Sequence, residues 1–281
     1  MLSFHLISKN VKTLISFTLV LAFLVLFFNA YAMPQSEYCK EDRFLYFGRY
    51  PQSKISNVSD LIEGKDYINL NGSFYKLEAI KWKVIKEDDT SLLVVSEKNL
   101  DVKPFCVNYS SEASWSNSDI AKWLNSDVTL SNLFYTAPFA QNGFLSSAFT
   151  KDESAKILDS SISYIEEVLI PFAGLTKHTK LDSNQKIFLL SQDDLHEYEE
   201  LGLNSFNVNA PNTDFVNSYS SKGLDVVNSY WLRDSLSQNT LLDSFETAFI
   251  VNENGKFDTK WVKHDACVRP AIRIDKSILI D

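Results

Sequence analysis

Basic side chains are in deficit. The chain carries 27 Lys and Arg against 36 Asp and Glu over 281 residues. Two of the lysines, Lys9 and Lys12, lie in the first 32 residues, so residues 33–281 hold 25 basic and 36 acidic side chains, a net charge of -11. A nucleic-acid surface needs clustered Lys and Arg, and docking on anionic lipid needs the same; neither is expected here. Glycine and proline are also sparse, 8 and 7, which excludes collagen-like and linker-like chains. Only His178, His196 and His264 remain beyond residue 32, with no His-Glu-x-x-His, no phosphate-cradling glycine loop and no Gly-x-Ser-x-Gly elbow. His264 stands three residues before Cys267, a spacing that on a strand puts the two on opposite faces and disfavours a thiol–imidazole pair. No metal and no cofactor is therefore expected.

What is present begins at the N-terminus. Lys9 and Lys12 precede an apolar run from Leu14 to Phe28, and Ala30-Tyr31-Ala32 follows with small residues at the two positions a signal peptidase reads. This tripartite pattern predicts a signal peptide over 1–32, with the mature chain starting at Met33 and exported to the periplasm, cell surface or exterior. The competing reading is an uncleaved anchor, because the run extended to Met33 approaches the length that spans a bilayer. That segment is the only membrane contact expected. The three cysteines, Cys39, Cys106 and Cys267, match no zinc spacing. Outside the cell they allow one disulfide, of which Cys106–Cys267 is one candidate, or three buried thiols.

The rest reads as a short lead over 33–43 and one α+β domain over 44–281. Phe44 to Tyr50, closed by Pro51, reads as a strand. Ile80, Trp82 and Val84 alternate with Lys81 and Lys83, and Leu92 to Val95 follows the polar turn Glu87–Thr90, which predicts a hairpin. Further strands are expected at Ile187–Leu190, at Ala248–Val251 before the turn pair Asn254-Gly255, and at Val268–Ile274. Short helices are expected after Ser116–Asp119, from Thr150 through Leu158, and from Ser191 to Leu201, with Gly202 as the stop. His178 reads as loop and His196 as a solvated helix face.

Candidate ligand residues lie between 204 and 223. Asn207, Asn209, Asn212 and Asp214 offer hydrogen-bonding groups, with Phe215 and Tyr219 as stacking surface, a mixture suited to a polar ligand such as a glycan or an envelope protein. The alternative is a loop whose aromatics merely cover the core. Calcium is disfavoured, since the segment lacks the glycine an EF-hand requires. Trp115 and Trp261, in polar surroundings, are stacking candidates, whereas Trp82, Trp123 and Trp231 sit on apolar faces and read as core. Arg233 and Arg269, each inside an apolar strand, are expected to hold buried carboxylates or carbonyls.

Several of these segments occur in a familiar order. Phe47-Gly48-Arg49-Tyr50-Pro51-Gln52, Ile80–Val84, Leu92–Ser96, Leu100–Phe105, Trp115–Asn125, Ile187–Ser191, Tyr230-Trp231-Leu232-Arg233 and Val268–Ile272 together resemble a bacterial domain of unknown function, family 6273. The chain departs from that pattern at Cys267, where glycine is expected, and at Val102, where cysteine is common. The Trp-Leu-Arg and Val-Arg-Pro-Ala segments look like those of C-type-lectin-like domains, the fold shared with formylglycine-generating enzymes. The resemblance implies a single lectin-like α+β domain with paired terminal strands, short helices and long loops, whose long loop before Tyr230 forms the ligand face. It carries over no calcium-lectin signature, since Ala210-Pro211-Asn212 and Trp231-Leu232-Arg233-Asp234 stand where those motifs would be, and no paired catalytic cysteines. The reading is a binding module; the alternative is an enzyme acting through the thiol of Cys106 or Cys267.

Overall fold

The computed structural model describes residues 37–39, 43–107, 114–127, 142–200, 209–220, 228–239 and 244–279, which fall in one compact unit, Ser36–Asp281. The expected signal segment, most of the expected lead and Asn207 lie outside the described residues. In chain order the strands are β1 (Glu37–Cys39), β2 (Phe44–Ile55), β3 (Tyr67–Leu70), β4 (Ser73–Glu87), β5 (Ser91–Ser96) and β6 (Asp101–Pro104). They continue with β7 (Ser160–Ile170), β8 (Gly174–Gln185), β9 (Ile187–Phe188), β10 (Tyr230–Asn239), β11 (Ser244–Val251), β12 (Phe257–Trp261), β13 (Asp265–Val268) and β14 (Ala271–Asp275). The helices are short: α1 (Asp119–Leu124), α2 (Phe144–Ala148), α3 (Lys151–Lys156), α4 (Gln192–Glu200) and α5 (Asp214–Asn217).

The strands build two seven-stranded sheets. The first runs β1-β2-β4-β5-β14-β9, with β3 also on β4; the second runs β12-β11-β10-β13-β6, with β7 on β10 and β8 on β7. The α+β class thus holds, but the terminal strands do not pair. β14 lies between β5 and β9, while β1 bonds only β2. Four connections pass between the sheets, into and out of β9 and at β5–β6 and β13–β14, and the last two run side by side. β5 leads from the first sheet to β6 in the second, and β13 leads back from the second to β14 in the first. The sequence run Val268–Ile274 is therefore two strands, broken where Pro270 removes a ladder donor. At the break the two connections are stitched together: Ser96 N–H donates to Pro270 O at 2.9 Å and Leu100 N–H to Val268 O at 2.9 Å.

Local sequence explains much of the ladder. Ile80, Trp82 and Val84 point inward from β4, and a bulge between Val84 and Lys86 turns Ile85 inward as well. All six residues of β5 are buried, as befits a strand flanked on both sides. β2 runs through Pro51 rather than ending there. Leu77, opposite Pro51, turns its N–H away to Asp66 O, so that pair exchanges no ladder bond and the N–H that proline lacks is not needed there. Ser118 caps α1 by accepting the Ala121 N–H, and Thr150 with Glu153 forms a capping box on α3. That helix ends at Lys156, two residues short of the expectation, because Ile157 bridges to Ile274 of β14. Asn254-Gly255 makes the β11–β12 turn, Gly255 at φ +73°.

The hairpin β7–β8 is the largest departure from the expected elements. His178 lies on β8 opposite Glu166, not in a loop. Ser160 to Tyr164 does alternate, with Ile162 and Tyr164 buried and Ser161 and Ser163 exposed. Beyond that point β7 is held by parallel pairing to the second half of β10, Ser235 opposite Glu166, a contact that no local pattern announces.

Gly48 sits in a bulge of β2 at φ +67°, and a Cβ there would meet the Phe149 ring at 2.5 Å and Ala148 O at 2.8 Å. Gly48→Ala combines left-handed strain with a clash against backbone. Unfolding by urea should show a loss of about 2 kcal/mol or more, with the variant's strand content unchanged where it folds.

Candidate functional site

β6 carries an acid and a base two residues apart, which a strand places on one face. Asp101 and Lys103 are both buried, their side chains 0% and 2% exposed, and Lys103 Nζ lies 3.0 Å from Asp101 Oδ1. Two charges removed from water need every remaining bond made. Asp101 Oδ1 also accepts from Val102 N–H at 2.7 Å and Tyr219 hydroxyl at 3.2 Å, and Oδ2 accepts from Tyr50 hydroxyl at 2.5 Å. Lys103 packs its ammonium over the Trp123 ring, 4.9 Å from the centroid. Burial first, and then the Asp101 charge, push the phenols of Tyr50 and Tyr219 well above their ordinary value of 10.0.

This carboxylate has no lone pair aimed at solvent, so it acts as a strut rather than as a base. What it holds is the segment 209–220. Tyr219 ties the end of that segment to β6; Phe215 packs edge-on against Tyr50, Tyr75 and Tyr219 at 5.4–6.1 Å. Asn99 fixes its start. Asn99 N–H donates to Pro211 O, Thr213 N–H donates back to Asn99 O, and the Asn99 amide donates to Ala210 O at 3.1 Å and Asn212 Oδ1 at 2.8 Å. Thr213 caps α5, and Asp214 Oδ2 accepts the Lys54 N–H of β2 at 3.0 Å. The segment is a bound strap over the sheet-switching connections, not a free loop.

Its polar groups divide into two sets. Asn212 amide donates to Asn217 Oδ1 at 3.2 Å, and these two with exposed Asp214 form a rim. Beneath it, Asn99 Oδ1 and Asn209 Oδ1 are buried and meet no donor. The Asn99 amide orientation is fixed by its two acceptors, so its bare oxygen is not an exchanged amide. The Oδ1 of Asn209 lies 3.2 Å from where a Cβ on Gly255 would stand, which puts the β11–β12 turn beside it.

The predicted site residues are thus partly gathered and partly dispersed. Asn209, Asn212 and Asp214 share the strap, but Phe215 and Tyr219 face the core, and Asn207 lies outside the described residues. Trp115 is no stacking surface: it is 0% exposed, against Phe105, its indole nitrogen unmet. Of its polar neighbours in sequence, Ser114 and Ser118 bond locally and Ser116 also accepts from the Tyr164 hydroxyl, which leaves the ring to the core. Trp82, Trp123 and Trp231 are buried, with indole N–H groups donating to Phe47 O, Asn142 O and Lys103 O. Arg233 reaches Ser163 O, Leu189 O and the Asp194 carboxylate; Arg269 reaches Ser96 O and Tyr230 hydroxyl.

Cys106 and Cys267 are buried thiols and do not bond each other. Cys267 lies opposite Val102, four residues before Cys106, a separation of roughly 13 Å along the strand that no disulfide spans. Burial pushes Cys106 up to about 11 and Cys267 up to about 12, the reverse of what a thiolate nucleophile needs. Among the described residues no group of His, Cys, Asp and Glu could hold a metal ion, and no helix is long and apolar enough to cross a membrane. Sequence reasoning passed over Asp101, Lys103, Tyr50 and Asn99. The alternation Leu100-Asp101-Val102-Lys103 in a strand carried the signal: two opposite charges on one face of a strand that proves buried on both.

Fold and strap define a two-sheet α+β domain with a polar rim fixed over a buried charged network. The family model described as Domain of unknown function (DUF6273) matches residues 89–276, two thirds of the chain, and the protein belongs to that family. The match takes in β5 to β14 and every strap residue; β2 and β4 precede it. No curated protein and no solved structure matches the chain.

Breaking the buried pair is expected to be costly. Asp101→Asn leaves the Lys103 ammonium buried without its counter-charge and should lower unfolding free energy by about 3–5 kcal/mol, while adding Lys103→Met should recover most of that loss. The raised phenols of Tyr50 and Tyr219 stay protonated when the unfolded chain ionises. Their contribution is therefore complete below pH 10 and lost as pH climbs toward the folded values. Denaturation midpoints should fall above pH 10, and less steeply in Tyr50→Phe.

Proposed function

We propose that this protein is an exported binding module whose 209–217 rim takes a polar ligand rich in hydrogen-bond donors, a glycan in the first instance. The observation that carries the reading is the pair of buried, unmet acceptors, Asn99 Oδ1 and Asn209 Oδ1. A buried acceptor without a donor costs about 1–3 kcal/mol, which a water or a ligand hydroxyl can relieve. The surrounding strap is already ordered by backbone bonds, so a ligand would meet a formed surface and pay little to order it. A free hydroxyl-bearing ligand fits better than an envelope protein, because the rim is a few side chains wide. The resemblance of the Trp-Leu-Arg and Val-Arg-Pro-Ala segments to C-type-lectin-like domains supports the reading only in reduced form, as a loop-borne ligand face ahead of the Tyr230–Arg233 strand. Thiol catalysis finds no support in thiols held protonated by burial. Export rests on the basic, apolar and Ala-Tyr-Ala order of the first 32 residues.

A glycan array probed with the protein tests the rim. Ligands retained by the wild type should lose tenfold or more in affinity to Asn209→Ala and to Asn217→Ala, each with an unchanged melting temperature. An array on which nothing binds, or binding that both variants keep, sinks the assignment. Export has its own check: the N-terminal residue of the exported protein should be Met33, and recovery of an intact Met1 from membranes would replace cleavage by anchoring.

A further inference from the structure

The β7–β8 hairpin ends in Val168-Leu169-Ile170-Pro171-Phe172-Ala173-Gly174-Leu175, eight residues without a charge. Apolar groups at such a tip are ordinarily turned inward, yet here they face water: Phe172 is 98% exposed, Leu175 50%, Leu169 41% and Ile170 40%. The turn is formed, not frayed. Ala173 N–H donates to Ile170 O at 3.1 Å, and Leu169 pairs with Leu175 across the hairpin. Phe172 takes φ +64°, a conformation that suits glycine or asparagine and strains a phenylalanine. Nothing among the described residues packs on its ring to offset that strain.

The charges behind the tip are balanced. Over residues 160–186, Glu166, Glu167 and Asp182 match Lys177, Lys180 and Lys186, in a chain otherwise strongly acidic. Lys177 pairs with Glu167 and Lys180 with Glu166 across the strands, so the hairpin carries no net field of its own. We propose that this tip inserts into the headgroup–acyl boundary of an uncharged, zwitterionic lipid bilayer. Its neutrality fits such a surface and gives no purchase on an anionic one. Its size also selects the occupant. Four side chains on a two-strand turn fall far below the roughly 800 Å² per partner of a standard protein interface, whereas interfacial insertion scales with whatever apolar area enters. The strands beyond the tip would then hold the ion pairs at headgroup level. This inference is independent of the ligand rim and of the thiols.

The test uses the full chain carrying Phe172→Trp, which reports on the tip alone whatever the N-terminal run does. With phosphatidylcholine vesicles the added indole should shift its emission to the blue and be quenched by doxyl-labelled lipid, relative to the unsubstituted chain. Phe172→Asp with Leu175→Asp should reduce the vesicle-bound fraction at least tenfold at equal melting temperature. Three results overturn the proposal. One is an indole that stays open to iodide when vesicles are present. A second is insertion that occurs only with anionic phosphatidylglycerol. The third is the same blue shift in lipid-free solution together with a dimer by sedimentation, which would assign the tip to a second copy of the chain.

Discussion

The paired change of sheet is the constraint on which the rest of the structure depends. Two neighbouring connections, Glu97–Leu100 and Arg269–Pro270, leave one sheet for the other side by side, and each satisfies backbone groups of its partner. Arg269 sits at that point, buried, with Nε donating to Ser96 O at 3.0 Å and Nη1 to Tyr230 hydroxyl at 3.2 Å. Its guanidinium also lies over the Tyr230 ring, 5.1 Å from the centroid, so one planar cation joins β10, the β5 exit and the β14 entry. Lysine has the charge but not the fork, and could not address three elements at once. The register of both sheets is thereby fixed relative to the crossing.

Asp101 and Lys103 follow immediately after it on β6, and their burial is a consequence of that placement. A pair of well-packed apolar residues would be at least as stable there, so the charges are better understood through what they specify. Asp101 accepts bonds from groups on β2 and the strap as well as from β6 itself, and only one arrangement of those elements meets all of them. Arg233 has the same character further along β10, joining β7, the end of β9 and α4 through Ser163 O, Leu189 O and Asp194. Asp234 beside it accepts the N–H groups of Ile165 and Gln192, and burial raises its carboxyl above the ordinary range in spite of those bonds. Short helices with small apolar faces could not orient these parts; buried polar groups with fixed directions do.

The consequence for function is a division of labour. Strongly held polar groups inside the domain fix a strap whose outer asparagines reach the surface, while the hairpin on the second sheet carries its apolar residues outward. Rim and tip differ in chemistry, one rich in amides and the other without a charge, and the family's match spans both. On the readings proposed above, the rim would serve a polar ligand and the tip a bilayer, through separate parts of the domain.

The elements legible in the sequence were those with a local cause. The β4–β5 hairpin follows from alternation and a polar turn, the β11–β12 turn from Asn254-Gly255, and α1 and α3 from their caps. The α+β class and the core tryptophans 82, 123 and 231 follow from the same patterns. The tertiary structure alone decided the rest. Whether Val268–Ile274 is one strand or two depends on a second sheet. β7 and β8 exist as strands because β10 offers an edge, with little apolar pattern of their own. Trp115 is core and Cys106 is out of reach of Cys267 because of register, which one-dimensional spacing does not contain. Buried charge is the clearest case: Asp101 and Lys103 look like surface residues in any window of sequence, and only packing on both faces of β6 makes them the internal strut. Hydrogen-bonding partners come from elements 51 and 118 residues away, and no local rule can supply them.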